Sequence, residues 1–187
     1  MTPLIHADGV FTHSQDTPHF VADGEKESVS AIVLRAFCPE DSEAFRQLNE
    51  AWITRWFALE AEDVAILGDP QAHILEHGGQ IVVAASGAEV VGCFALLPTR
   101  PGVLRLIRMT VLESYRGRGV GRMLLQRAIE LARMAKAVKL VLETSGRLES
   151  AVHLYESAGF QRIPPEPGAP LPLSRADIFM ELPLSYG

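Results

Sequence analysis

The feature that most constrains this chain is a glycine-rich segment between two patterns of different period. Residues 115–121 read YRGRGVG, with glycine at three alternate positions. The segment follows an apolar stretch typical of a strand, residues 103–111, and opens an amphipathic helical pattern over residues 119–136. Glycine has no Cβ to block a close approach, and the unpaired N–H groups at a helix N-terminus favour an anion. The pattern therefore predicts a phosphate-binding loop.

Arginines around the loop supply the matching positive charge. The chain of 187 residues has a formal net charge of −6. Residues 100–147, however, contain eleven Lys or Arg and three Asp or Glu, which is a local charge of +8. Arg116, Arg118 and Arg122 lie in or beside the loop, and guanidinium groups suit phosphate geometry. An acidic chain with one basic segment indicates a phosphate-rich small molecule and argues against a nucleic-acid partner.

The loop departs from two common nucleotide-binding motifs. A Walker A motif needs a lysine after its last glycine, and none follows Gly121. A Rossmann motif needs G-x-G-x-x-G directly after a strand. Here the third glycine comes one residue early, and five residues separate Val111 from Gly117. Glu143 ends the next predicted strand and could contact a ribose, so a Rossmann-type nucleotide-binding oxidoreductase stays open as a weaker alternative.

The order of predicted elements indicates one α/β (α+β) domain. Residues 1–28 show no sustained period and are interpreted as a mobile N-terminal extension. Residues 29–187 follow the order β-α-α-β-β-β-α-β-α-β-β, which predicts a mixed sheet. The predicted helices cover residues 40–57, 59–67, 119–136 and 148–158, and residues 98–102 are predicted as a loop.

Other sequence features favour a cytoplasmic protein without a metal or a membrane segment. Two cysteines cannot build a disulfide scaffold, and no apolar run is long enough for a bilayer. The first basic residue is Lys26, so the basic start of a secretory signal is missing. Residues 73–77 formally match the zinc-peptidase sequence H-x-x-E-H, but Pro70 and Gly78 interrupt the helix that such a site needs.

The loop and its flanks resemble the GNAT N-acetyltransferase superfamily. Its motif R/Q-x-x-G-x-G/A is matched by Arg116, Gly119 and Gly121. The strand before the loop matches as well, and so does LYESAGF at residues 154–160, after the next strand and helix. The resemblance covers about residues 29–182. It implies a strongly twisted mixed sheet of about six to seven strands, flanked by about four helices, whose central parallel strands splay apart.

The resemblance also implies which residues bind acetyl-CoA. The cofactor would enter the gap between the splayed strands, where backbone groups of Met109 and Val111 would bond the pantetheine amides. Ser150 stands where many relatives carry an asparagine that contacts CoA. The loop residues that would bind the pyrophosphate are Arg116, Gly117, Arg118, Gly119, Val120 and Gly121.

The family's reaction, direct attack of a primary amine on the thioester, implies three chemical roles. An alkylammonium with a pKa near 10.4 is only about 0.04% neutral at pH 7, a penalty of about 4.6 kcal/mol, so a base is needed. Glu143 is the nearest candidate for that base, and a structural role, as a cap or as the partner of an arginine, is equally open. A backbone N–H near Val111 would bind the oxyanion. Tyr155 matches the family's tyrosine, which gives a proton or a hydrogen bond to the leaving thiolate. The alternative is an aromatic core residue beside Leu154 and Phe160.

The sequence leaves the acceptor and one alternative function open. The acceptor would be a primary amine of a small molecule or peptide, and the resemblance allows a homodimer. A catalytically silent CoA-binding sensor would keep the loop and lack an effective base. Trp52, Trp56 and Phe57 could line the acceptor pocket, although the spacing of Trp52 favours the core. The acidic residues within 60–63 could bind a cationic acceptor or form a solvated face.

Overall fold

The computed structural model describes residues 31–165 and 174–184. The extension expected at residues 1–28 lies outside these residues. Within them the chain forms seven strands and four α-helices, which confirms the predicted mixed architecture. The strands are β1 (Ile32–Ala36), β2 (Gln80–Ser86), β3 (Glu89–Arg100), β4 (Val103–Val111), β5 (Lys139–Thr144), β6 (Gln161–Ile163) and β7 (Ile178–Pro183). The helices are α1 (Ser42–Trp56), α2 (Ala61–Gly68), α3 (Val120–Met134) and α4 (Glu149–Ser157).

One sheet contains all seven strands, in the order β1-β2-β3-β4-β5-β7-β6. Every neighbouring pair is antiparallel except β4 and β5, which are parallel. A dinucleotide-binding Rossmann sheet is mostly parallel. The Rossmann alternative is therefore wrong, because the glycine loop follows a strand whose other neighbour is antiparallel.

Both faces of the sheet are covered, and β2 shows how the sequence achieves this. Ile81 and Val83 point to one face and pack with buried residues of α1 and α2. Val82 and Ala84 point to the other face and pack with α3. Successive side chains of a strand alternate between faces, so a strand covered on both sides has a continuous apolar sequence.

The two parallel strands separate at the centre of the sheet. They pair only over Val103–Leu106 of β4 and Lys139–Leu142 of β5. Beyond that point β4 carries a bulge at Arg108, whose φ is +54°, opposite Phe94 of β3. A bulge bends its strand and increases the local twist, whereas β5 stays paired with β7 up to Thr144. The splayed strands that the resemblance implied are present, and the gap between them becomes the site.

Some element boundaries differ from the sequence prediction. The predicted loop at residues 98–102 is mostly strand, because β3 continues to Arg100. Pro98 is tolerated there because β2 pairs with β3 only as far as Leu96, so no strand of the described residues needs a hydrogen bond from position 98 on that side. The first helix begins at Ser42 rather than at residue 40, after a 3-10 turn over Pro39–Asp41.

The segment that matches the zinc-peptidase sequence is short and exposed. Gln71–Leu75 forms a single π-helical turn, and both His73 and His77 are exposed. The Nδ1 atom of His77 lies 2.8 Å from the carbonyl oxygen of Ala72. Among residues 31–165 and 174–184, no group of three His, Cys, Asp or Glu side chains is arranged to hold a metal ion. No helix in the same described ranges is long and apolar enough to cross a membrane.

Candidate active site

A cavity of about 950 Å³ opens where β4 and β5 separate. Residues 105–111 of β4 form one wall, and the end of β5 with α4 forms the opposite wall. The glycine loop before α3 closes one end, which we call the donor end. Residues of α1 and α2, with Arg175 and Ala176, close the other, which we call the acceptor end.

The glycine loop takes a backbone conformation that requires glycine at two positions. Gly117 has a φ of +73° and Gly119 a φ of +83°, so both lie in the left-handed region. Gly119 is the N-cap of α3, which places the free N–H groups of the first helical turn at the donor end. A Cβ at either glycine would meet no described atom within 4 Å, so backbone conformation and the space left for a ligand explain these glycines.

Gly119→Ala is expected to lower the free energy of unfolding by about 1–2 kcal/mol, because alanine is strained in the left-handed region. Gly121→Ala is the matched control, since Gly121 lies inside α3 and has no positive φ. A Cβ there would lie 3.4 Å from Leu154 Cδ2, which is ordinary contact. Urea unfolding of both variants measures the difference, and equal losses would contradict the conformational explanation.

The arginines of the loop are arranged differently from one another. Arg116 donates from Nε to the carbonyl oxygen of Val111 at 3.1 Å and lines the cavity. Arg122, on the first turn of α3, also lines it. Arg118 instead lies over the ring of Tyr115, 5.1 Å from its centroid, and its side chain is not part of the cavity lining.

Tyr155 lies on the α4 wall of the cavity and is buried. Its ring packs at 5.9 Å from that of Phe160. The hydroxyl makes no hydrogen bond to any residue in the described part of the chain, and burial raises the pKa of Tyr155 to about 12. The phenol is therefore protonated at neutral pH and can donate a hydrogen bond or a proton, but it cannot act as a base.

Glu143 lies at the point where β5 leaves β4, one residue beyond the last parallel pair. Its carboxylate accepts a hydrogen bond from Arg105 Nη2 at 2.8 Å, and its side chain is 22% exposed. Arg105 also lies 3.7 Å from Glu62 of α2. The carboxylate is thus held on the cavity wall in a fixed, ion-paired position that solvent can reach.

The structure brings nearly all the residues predicted from sequence to this one cavity. Ser150, which is exposed near the start of α4, belongs to the lining. Val120 does not, because its side chain is buried in the core, so only its backbone faces the loop. The predicted residues that line the cavity are Met109, Val111, Arg116, Gly117, Gly119, Gly121, Glu143, Ser150 and Tyr155.

Sequence reasoning missed a buried ionic cluster at the acceptor end. Asp63 of α2 is fully buried and accepts hydrogen bonds from Arg108 of β4 and from Arg175. Burial alone would raise the pKa of Asp63, but hydrogen bonds from Arg175 and the Glu60 backbone, together with both arginine charges, lower it below its ordinary range. Asp63 is thus neither a solvated acid nor a free contact for a cationic acceptor. The available signal was a pair of arginines, Arg105 and Arg108, in the mostly apolar strand β4.

Aromatic side chains complete the acceptor end. Trp52, Trp56 and Phe57 all line the cavity, as the sequence suggested. Trp52 also packs against the core beneath α1, so both interpretations of this residue hold. The guanidinium of Arg175 lies 5.9 Å from the ring centroid of Trp52 and 6.0 Å from that of Phe57. The ionic cluster and the aromatic wall therefore form one packed unit.

Comparison with protein families and curated sequences identifies relatives of this chain. A family model described as an acetyltransferase (GNAT) domain matches residues 77–162. The uncharacterized N-acetyltransferase YvbK of Bacillus subtilis (strain 168) is 30% identical over 105 residues, which is 54% of this chain and 68% of that protein. N-acetyltransferase family 8 member 2 of Rattus norvegicus is 34% identical over 103 residues, 52% of this chain. The match spans only 46% of the rat protein.

Solved structures with the same fold have lower sequence identity. An acetyltransferase of the GNAT family from Staphylococcus aureus Mu50 superposes with a TM-score of 0.76 at 21% identity, covering 83% of this chain and 100% of that one. The yncA protein of Salmonella typhimurium, solved with its cofactor acetyl-CoA, gives a TM-score of 0.68 at 21% identity. That alignment covers 84% of this chain and 96% of the other. At this identity the likeness establishes the fold.

Proposed function

Because this chain belongs to the GNAT acetyltransferase family, we propose that it transfers an acetyl group from acetyl-CoA to a primary amine. One observation carries the proposal: a single cavity joins the glycine loop, Tyr155 and Glu143. A phosphate-binding end, a proton donor and a carboxylate are the groups that acetyl transfer from a thioester to an amine needs.

The donor end would hold acetyl-CoA. The N–H groups that open α3 and the guanidinium groups of Arg116 and Arg122 would bind the pyrophosphate. Backbone groups of Met109 and Val111, on the free edge of β4 beyond the parallel pairing, would bond the pantetheine amides. Ser150 on α4 would face the same chain from the opposite wall. The thioester then lies between β4 and α4, near the middle of the cavity.

The acceptor amine must lose a proton before or during attack, and Glu143 would accept it, directly or through water. The nitrogen forms a bond to the acetyl carbon, and the carbonyl electrons move to oxygen, where a β4 backbone N–H near Val111 would donate to the oxyanion. Collapse then breaks the C–S bond. The nitrogen loses its second proton in this step, and the thiolate gains one. The products are the N-acetyl amide, CoA as the thiol and the proton held by Glu143.

Tyr155 would stabilise the leaving sulfur. With its pKa near 12 and a thiol near 8.5, complete proton transfer from Tyr155 to the thiolate is uphill by about 5 kcal/mol. A hydrogen bond from the phenol to the developing thiolate avoids that penalty. We therefore assign Tyr155 the role of hydrogen-bond donor, and the sulfur takes the second proton that the attacking nitrogen loses, through solvent.

The donor end makes a testable electrostatic prediction. Because the loop arginines are exposed, salt should screen their attraction for the phosphates of CoA. The dissociation constant for CoA is expected to rise several-fold between about 50 mM and about 500 mM NaCl. Calorimetric titration at each salt concentration gives this constant, and an affinity that does not change with salt would show that the arginines do not contribute.

A catalytically silent CoA-binding sensor is the alternative function. Thermal shift first tests whether acetyl-CoA binds the protein. A thiol-detection assay then measures CoA release across amino acids, polyamines, aminoglycosides and peptides. Acetyl-CoA binding with release on at least one amine supports the proposed enzyme. Binding without release on any of them would support the sensor.

A further inference from the structure

Arg108 is a buried guanidinium on the cavity wall with most of its hydrogen-bonding capacity unused. Its side chain is 4% exposed, and the residue lines the cavity. Nη1 donates to Oδ1 of Asp63. Nε is buried and has no hydrogen-bond partner. Within the described ranges the guanidinium makes its one side-chain hydrogen bond from Nη1, so Nη2 has none. A buried N–H group without an acceptor costs free energy. A ligand that supplies an acceptor to Arg108 would remove that cost.

The bulge in β4 explains how Arg108 reaches the acceptor end. Residues three apart in a regular strand point to opposite faces of the sheet. Here Arg105 and Arg108 contact adjacent residues of the same helix, Glu62 and Asp63 of α2. The extra residue opposite Phe94 turns the strand so that both guanidinium groups lie on one side.

Asp63 does not fully compensate the charge of Arg108. Its two carboxylate oxygens also accept hydrogen bonds from Nη1 and Nη2 of Arg175 and from the backbone N–H of Glu60. Burial lowers the pKa of Arg108 below its ordinary range even with Asp63 in contact, and the like charge of Arg175 acts in the same direction. A second anion at Arg108 would therefore be stabilised.

We propose that the acceptor amine carries a carboxylate and that the Nε–Nη2 edge of Arg108 binds it. This edge presents two parallel N–H donors that match the two oxygens of a carboxylate, and Asp63 leaves it free because it takes Nη1. The Arg105–Glu143 pair on the same side would face the amine. The acceptor class is then an amino acid, and this inference rests on the acetyl-transfer function proposed above.

The test compares amino acids with ligands in which an uncharged primary amide replaces the carboxylate. Binding of the proteinogenic L-amino acids and of their primary amides to the CoA-loaded protein is measured by calorimetry, and thiol release from acetyl-CoA is measured with the same pairs. At least one acid should bind about tenfold or more tightly than its amide. Arg108→Lys keeps the positive charge but loses the two parallel N–H donors. In this variant the affinity for the acid should exceed that for the amide by about threefold or less. Arg133→Lys, an exposed arginine of α3 outside the cavity, should keep the wild-type ratio.

The outcomes separate the two proposals. No preference for any acid over its amide in the wild-type protein would overturn the carboxylate inference and leave acetyl transfer standing. A preference that survives in a folded Arg108→Lys variant would overturn the role of Arg108. Acid-selective binding without thiol release would support carboxylate recognition and contradict acetyl transfer. Melting temperature and CoA affinity report whether the Arg108→Lys variant is folded. If it is not, the comparison of acids with amides in the wild-type protein still tests the carboxylate inference.

Discussion

Tyr155→Phe is expected to lower kcat by about 100-fold while the dissociation constant for acetyl-CoA stays unchanged. The hydroxyl makes no hydrogen bond to a described residue, so its removal takes away an interaction formed only when the thiolate develops. The phenyl ring keeps its packing against Phe160, and the free energy of unfolding should change little. Single-turnover measurement of acetyl transfer isolates the chemical step from product release.

Tyr115→Phe is the matched control for this experiment. Tyr115 lies outside the cavity lining, and its hydroxyl donates to Glu89 at 3.3 Å. Removing that hydroxyl should leave the single-turnover rate within about twofold. If Tyr155→Phe retains the wild-type rate when chemistry limits turnover, Tyr155 has no part in the mechanism and the cavity must stabilise the thiolate in another way.

Asp63→Ala is expected to lower the free energy of unfolding by about 3–5 kcal/mol, the usual result of removing one partner of a buried ion pair. The substitution leaves the guanidinium groups of Arg108 and Arg175 buried, at 4% and 7% exposure, with no carboxylate between them. It also removes the acceptor for the backbone N–H of Glu60 at the start of α2. Urea unfolding measures the loss.

An exposed ion pair provides the control for Asp63→Ala. Glu43 bonds Arg46 on the surface of α1, and its side chain is 59% exposed. Pairs of this kind contribute about 0–1 kcal/mol, so Glu43→Ala should have a small effect. If the two variants lose comparable free energy of unfolding, the buried cluster contributes no more to stability than an exposed ion pair.

Acid titration of stability tests the same cluster in the wild-type protein. Because the folded state lowers the pKa of Asp63, its contribution is complete above the unfolded pKa near 3.9 and is lost as pH falls through the lower folded value. The wild-type protein should therefore lose stability below about pH 4, and Asp63→Ala should lose less over the same range. An identical acid dependence of the two proteins would contradict the assignment.

The donor end of the site could be predicted from sequence because its chemistry is local. The glycines, the arginines and the start of α3 are within a few residues of one another, and backbone conformation and helix polarity follow from such short-range order. Tyr155 was found by its spacing within residues 154–160. Glu143 lies on the cavity wall and pairs with Arg105, which agrees with the alternative that it pairs with an arginine. Which arginine it meets depends on the pairing of two strands, and its role as the base stays a prediction.

The sequence by itself determined the mixed sheet, the loop that opens α3 and the position of the tyrosine, since periodicity and glycine placement act over short distances. Only the tertiary structure decided where β4 and β5 separate and which charges meet at the acceptor end. Asp63, Arg108 and Arg175 are remote in sequence, and a bulge one residue long turns Arg108 toward α2. The alternation rule alone places that arginine on the opposite face, so the acceptor site emerges only when the sheet folds.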